Sequence, residues 1–153
     1  MLHKGASPTI RFFFYGVTGI LKHRRVLKKF ITSIFQKERK RLDELNVIFC
    51  SDRILRNINR RYLHHDFYTD IVTFEFSSIA DNRTGEIYIS LERVKKNARI
   101  YGTTQTSELH RVIFHGVFHL CGYNDQSKAE KKQMTQKEDL ALRAYFQTFH
   151  VKQ

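Results

Sequence analysis

The segment His115-Gly116-Val117-Phe118-His119-Leu120-Cys121-Gly122-Tyr123-Asn124-Asp125 constrains what the chain can fold into more than any other. On a helix, His115 and His119 lie on one face a turn apart, where two imidazoles can grip one ion. Gly122 is placed to end that helix, because glycine takes the left-handed conformation at no steric cost. The chain then turns back, and Asp125 can supply a third ligand. Two His and one carboxylate leave the fourth tetrahedral position open for water, as in a catalytic zinc site; structural zinc fills all four. Zinc lowers the pKa of its water to about 7, which makes hydroxide available at neutral pH. One zinc per chain, held by His115, His119 and Asp125, is the expectation.

The ligand spacing also matches that of metzincin peptidases, His-x-x-x-His-x-x-Gly-x-x-(His or Asp). Zinc peptidases place Glu directly after the first His, as general base for the attacking water. Here that position is Gly116, which cannot accept a proton. The zinc-bound water is therefore expected to act without a protein base beside it. Gly116 is also expected to remove bulk beside the metal and leave room for a larger substrate.

A chain of 153 residues, 41% of them hydrophobic, fits one domain with a single core, residues 1–153. Ile10 to Tyr15 reads as a strand. Val26, Leu27, Phe30, Ile31, Ile34 and Phe35 recur at helical spacing. Leu45 to Cys50 is a strand, and Ser51 can cap a helix carrying Ile54, Leu55, Ile58 and Tyr62. Strands are expected over Asp70 to Phe76 and Glu86 to Ser90, joined by a turn at Asp81-Asn82-Arg83-Thr84-Gly85. Ser90 can cap a short helix that stops at Gly102. The metal helix is expected from about Ser107 to Cys121. The last helix starts at Ser127, where Ser127-Lys128-Ala129-Glu130 makes a capping box, and buries Met134. Strands and helices mix without strict alternation. The fold class is therefore α+β, a small mixed four-stranded sheet covered by about five helices, with a zincin-like metal helix.

The formal net charge of +12 points to a polyanionic partner. The first helix concentrates it: Lys22 to Arg41 holds nine Lys or Arg against one acid, Glu38. Cys50 and Cys121 are too few for a disulfide framework, and both read as reduced, hence a cytoplasmic protein with no disulfide partner. Cys121 reads as a small buried hydrophobe. The apolar stretch Phe12 to Leu21 is too short to span a bilayer, so neither a signal peptide nor a membrane anchor is expected.

The metal segment closely resembles the signature of the YbeY family, bacterial zinc-dependent endoribonucleases of ribosomal RNA maturation: His-Gly-x-Leu-His-Leu-x-Gly-Tyr-Asp-His. Asn59 with Tyr62 and Asp66, then Thr69-Asp70-Ile71-Val72-Thr73-Phe74, resembles a second family stretch. Gly85-Glu86-Ile87, Glu108, Met134 and Glu138 also fall at family positions. The resemblance covers about Leu45 to Glu138. It implies a single α+β domain with zinc in a cleft. It implies cleavage of single-stranded RNA, processing of ribosomal RNA including the 16S 3′ end, and ribosome quality control. Two departures from the family matter, one in the metal segment and one in the second stretch. Its third His is Asp125 here, an acceptable zinc ligand, and its Arg after Tyr is Leu63, with its Lys at His65. Arg60 and Arg61, one turn back, could supply the missing charge, or could be part of a solvated helix face.

The leading expectation is thus a zinc-dependent endoribonuclease whose partners are ribosomal RNA and the small ribosomal subunit. Lys28, Lys29, Lys37 and Lys40, with Arg24 and Arg39, would hold the RNA backbone through its phosphates. Two alternatives stay open: a zinc metallopeptidase, supported by ligand spacing, and a non-catalytic basic RNA- or ribosome-binding protein with a structural metal. Glu108 reads more readily as a first-turn acid favoured by the helix dipole than as a group orienting a ligand. Glu86 either faces the cleft or ends a strand. His64 and His65 read as bystanders.

Overall fold

The computed structural model describes residues 7–19, 21–64, 69–77 and 83–148. The elements in chain order are β1 (Thr9–Phe14), α1 (Arg24–Lys37), β2 (Glu44–Cys50), α2 (Asp52–Leu63), β3 (Ile71–Ser77), β4 (Arg83–Ser90), α3 (Leu91–Tyr101), α4 (Gln105–Leu120) and α5 (Lys128–Thr148). The four strands form one sheet in the order β1-β2-β4-β3. β1, β2 and β4 run parallel, and β3 closes the edge antiparallel to β4. The architecture is the expected α+β fold, a mixed four-stranded sheet with five helices.

Alternation along the strands gives the sheet two unlike faces. Ile10, Leu45, Val47, Phe49, Ile87 and Ile89 point to one side, where they pack with α1, α4 and α5 in the main core. Cys50, Val72, Phe74 and Tyr88 point to the other, where Ile54, Leu55 and Ile58 of α2 cover them. The central helix α4 is almost wholly buried, through Val112, Ile113, Phe114, Val117, Phe118 and Leu120.

The helix starts follow from side-chain caps, each worth about 1 kcal/mol. Ser51 accepts from the Ile54 amide at 3.2 Å, and Ser90 from the Arg93 amide at 3.1 Å. The Ser127–Glu130 capping box is complete: each side chain accepts from the other's backbone N–H, at 3.1 and 3.0 Å. Two boundaries differ by more than one residue from the sequence-based expectation. α4 begins at Gln105, two residues early, because the Thr104 hydroxyl accepts from the Ser107 amide at 3.0 Å and makes Thr104 the cap. β4 begins at Arg83 rather than Glu86: Arg83, Thr84 and Gly85 pair with Ser77, Phe76 and Glu75 instead of forming a turn. Gly85 is in the strand because Leu120 crosses it closely; a Cβ there would lie 2.7 Å from Leu120 Cδ1. Asp81 and Asn82 lie outside the described residues.

Candidate metal centre

α4 carries His115 and His119 on one edge, with ring centroids 4.6 Å apart. The helix ends at Leu120, Gly122 takes φ +103°, and the returning chain brings Asp125 back over the two imidazoles. Asp125 Oδ2 lies 3.3 Å from His115 Nε2 and 3.4 Å from His119 Nε2. A tetrahedral ion with bonds of about 2.0–2.1 Å needs ligand atoms about 3.3–3.4 Å apart, so Asp125 stands at metal-ligand spacing from each imidazole. One ligand atom from each residue falls within 4.8 Å of the others, and this is the one such group among the described residues. Their side chains are 21%, 24% and 33% exposed, which leaves one side open to solvent and substrate.

Behind the site lies a carboxylate that sequence reasoning did not assign to it. Glu138 of α5 accepts a hydrogen bond from His115 Nδ1, with Oε2 2.6 Å away, while Arg111 donates to its other oxygen at 2.9 Å. This bond places the His115 proton on Nδ1 and leaves the Nε2 lone pair free to face Asp125, the arrangement that orients imidazole toward a metal. The signal for Glu138 was present in the sequence, since it falls on the inward stripe of α5 with Met134, Ala141 and Tyr145. An acid on an apolar stripe needs a partner.

Electrostatics around His115 follow from burial and charge. Burial opposes the imidazolium, but the hydrogen bond and charge of Glu138, with Asp125 and Asp70, outweigh it and hold His115 above its ordinary value. Asp70 is pushed up by burial, offset in part by His115. Glu108 is pushed up by burial and then by Asp70 and Glu138. Glu108 is therefore a buried member of this acidic surround as well as a first-turn acid; His115 hydrogen-bonds to Glu138 rather than to it.

The expected role of Gly116 is corrected. The position faces the sheet, not the cleft: a Cβ there would meet Ile71 Cδ1 and Ile87 Cδ1 at 2.9 Å. Glycine lets α4 sit directly on β3 and β4, and makes no room for substrate. Cys121 is buried, burial followed by the charge of Glu38 pushes its thiol up to about 12, and it is not part of the donor group formed by His115, His119 and Asp125. Met134 is core. Glu86 stands on the sheet face away from the metal, accepting from the Tyr88 hydroxyl at 2.6 Å. His64 closes α2 in the left-handed conformation, and His65 and Asp66 lie outside the described residues.

The basic residues are divided between the two faces. Lys28, Lys29 and Lys37 belong to α1, with Lys40 just beyond it, on the face that carries α4; Arg60 and Arg61 belong to α2 on the opposite face. Glu38, the single acid of the first basic stretch, accepts from Tyr123 at 2.8 Å and from Lys137 at 2.9 Å. It thereby ties the end of α1, the region that carries Lys37 and Lys40, to the loop that carries Asp125.

The family model for Endoribonuclease YbeY matches residues 19–145. An Endoribonuclease YbeY of Cytophaga hutchinsonii is 44% identical over 136 residues, 89% of this chain and 95% of its own. One from Bacteroides thetaiotaomicron is 42% identical over 119 residues, 78% of this chain and 86% of its own. A solution structure of a Thermotoga maritima protein superposes with TM-score 0.61 at 27% identity, covering 93% of this chain and 92% of that one. By the span of the family match and the identity to these relatives, the chain belongs to the endoribonuclease YbeY family of nucleases.

Proposed function

We propose that the chain is a zinc-dependent endoribonuclease that cuts single-stranded RNA. Its substrate would be ribosomal RNA, including the 16S 3′ end, with a part in ribosome quality control on the small subunit. It would act as one domain over residues 1–153, in the cytoplasm. The observation that carries the reading is the separation of 3.3 and 3.4 Å between Asp125 and the two His Nε2 atoms, the edge of a zinc tetrahedron, in a member of a nuclease family. His115, His119 and Asp125 would hold the ion, which when bound supplies a Lewis acid and an activated water.

The chain's own groups do the rest. Glu138 fixes the tautomer and angle of His115, and Arg111 holds Glu138 in turn. Asp125 brings a negative charge that helps to offset the cation. Lys37 and Lys40, in the region that Glu38 ties to the metal loop, and Lys28 and Lys29 further along α1 would attract the phosphates of the strand entering the cleft. Lys28 is held partly by the face of Phe12, its ammonium 5.8 Å from the ring centroid. Arg60 and Arg61, on the other side of the sheet, would contact RNA outside the cleft. Cys50 and Cys121 are both buried and free, and no helix among the described residues is long and apolar enough to cross a membrane.

Elemental analysis of purified protein, with labelled RNA and casein as parallel substrates with and without chelator, tests the reading. Close to one zinc per chain and chelator-sensitive cleavage of RNA alone are expected. Cleavage of casein, or zinc without any hydrolysis, would replace the reading with a peptidase or a binding protein.

A further inference from the structure

Beyond the metal cleft, the opposite face of the sheet is only partly covered. α2 crosses it, and between α2 and the end of β1 runs a groove of about 510 Å³ lined by Tyr15, Ile54, Asn57, Ile58, Arg60, Arg61 and Tyr62. Ile54, Asn57, Ile58 and Arg61 fall at three- and four-residue spacing, so they form one stripe of α2 turned toward β1. Strand alternation puts Phe13 on this same face. Phe13 and Tyr15 are 46% and 64% exposed, large aromatic surfaces with little covering them.

The charge of the groove has one sign. α2 contains Arg53, Arg56, Arg60 and Arg61 against one acid, Asp52. Asp52 is engaged at the start of the helix, accepting from Ser90 at 2.6 Å and Arg93 at 3.1 Å. Among the described residues no carboxylate pairs with Arg53, Arg60 or Arg61; Arg60 reaches only the Asn57 side-chain oxygen, at 3.4 Å. An exposed aromatic ring, an apolar floor and guanidinium groups at the rim form the combination that holds unstacked nucleotides. The ring stacks on a base, and the cations pair with its phosphates. A folded protein partner would have to bring acids to this rim, whereas RNA carries a phosphate at every residue.

The geometry points to a second RNA-binding groove, between α2 and β1 on the face of the sheet away from the metal. It takes one unpaired nucleotide of a single strand, with its base on Tyr15 and its phosphates at Arg60 and Arg61. This rests on the proposal that RNA is the substrate. Its use would be to anchor a strand outside the cleft, so that recognition reaches further along the RNA than the cleaved bond.

The test is equilibrium binding of a fluorescent single-stranded oligonucleotide without secondary structure, in chelator so that no cleavage occurs. Tyr15→Ala should weaken binding at least about fivefold, and Tyr15→Phe should restore it, because stacking needs the ring and not the hydroxyl. Arg60→Gln with Arg61→Gln should weaken binding and flatten its salt dependence, by about 0.7 in slope for each phosphate no longer neutralised. A strand carrying 4-thiouridine should crosslink to the Tyr15 or α2 peptide. All these side chains are exposed, and unchanged zinc content and melting temperature certify the fold. Wild-type affinity in Tyr15→Ala and in the double Arg variant, with crosslinks confined to α1 and the metal loop, would overturn the groove while leaving RNA as substrate. Retained RNA affinity with lost co-sedimentation on the small ribosomal subunit would overturn it in favour of a protein occupant. Failure of the wild-type protein to bind any single strand would instead overturn the substrate assignment on which the groove depends.

Discussion

Replacing Glu138 by Gln tests how the metal centre is held together. The carboxylate accepts from His115 Nδ1 at 2.6 Å through one oxygen and from Arg111 at 2.9 Å through the other. Gln has the same shape but only one acceptor. If its amide oxygen faces His115, its NH2 meets the Arg111 guanidinium, donor against donor. If it faces Arg111, its NH2 meets His115 Nδ1 and favours the wrong tautomer. Either way one bond of the pair is lost in a site where Glu138 is only 8% exposed. Loss of such a carboxylate behind a ligating His typically weakens metal binding about 10- to 100-fold, or about 1.4–2.8 kcal/mol. Competition for zinc against a chromophoric chelator at pH 7 measures it. The acid side of the binding profile should also move. Glu138 and its neighbours hold His115 above its ordinary value, so protons compete for the site as pH falls through that raised value. Without the Glu138 charge the competition should begin at lower pH. Unchanged zinc affinity and an unchanged acid limb in Glu138→Gln would refute the orienting role.

Three further outcomes are expected. Gly116→Glu should lower stability by about 3 kcal/mol, or about 6–12 °C in melting temperature, because the new side chain must enter between Ile71 and Ile87; differential scanning calorimetry reads it, and a variant as stable as wild type would show that the position faces open space. Burial raises the Glu38 carboxyl, but Lys137 and Tyr123 outweigh it and hold it below the ordinary glutamate range. Its contribution to stability should be complete above about pH 4.3 and vanish as pH falls through the lowered folded value, so Glu38→Gln should flatten the acid limb of urea midpoints plotted against pH. Changing Lys28, Lys29, Lys37 and Lys40 together to Gln should reduce the slope of log affinity against log salt by up to about 3 for single-stranded RNA, with zinc content unchanged.

Much of this was legible in the sequence, for identifiable reasons. The caps Ser51, Ser90 and Ser127 and the stop at Gly102 are local signals, and each helix starts or ends where they place it. The two His four apart, a Gly and an Asp are likewise local, and the fold brings His115, His119 and Asp125 within reach of one another. What escaped depends on contacts distant in sequence. The Glu138–His115 bond joins α5 to α4, and no spacing rule connects residues 23 apart. The environment of Gly116 depends on which side of α4 meets β3 and β4, which helical periodicity alone leaves open. Net charge counts Lys28 and Arg61 alike, but only the sheet shows that they stand on opposite faces. Arg83 and Thr84 have the composition of a turn, yet pairing with Phe76 and Ser77 overrides it.

The most direct measurement of the central claim is cleavage of an end-labelled unstructured RNA by wild-type protein and His119→Ala, each purified, stripped with chelator and then given zinc. Wild type should cleave the strand internally, chelator should abolish that cleavage, and about one equivalent of zinc should restore it. His119→Ala, shown to be folded by circular dichroism, should give no cleavage at any zinc level near stoichiometry. Cleavage that survives the chelator, or equal cleavage by His119→Ala, would contradict a reaction centred on His115, His119 and Asp125.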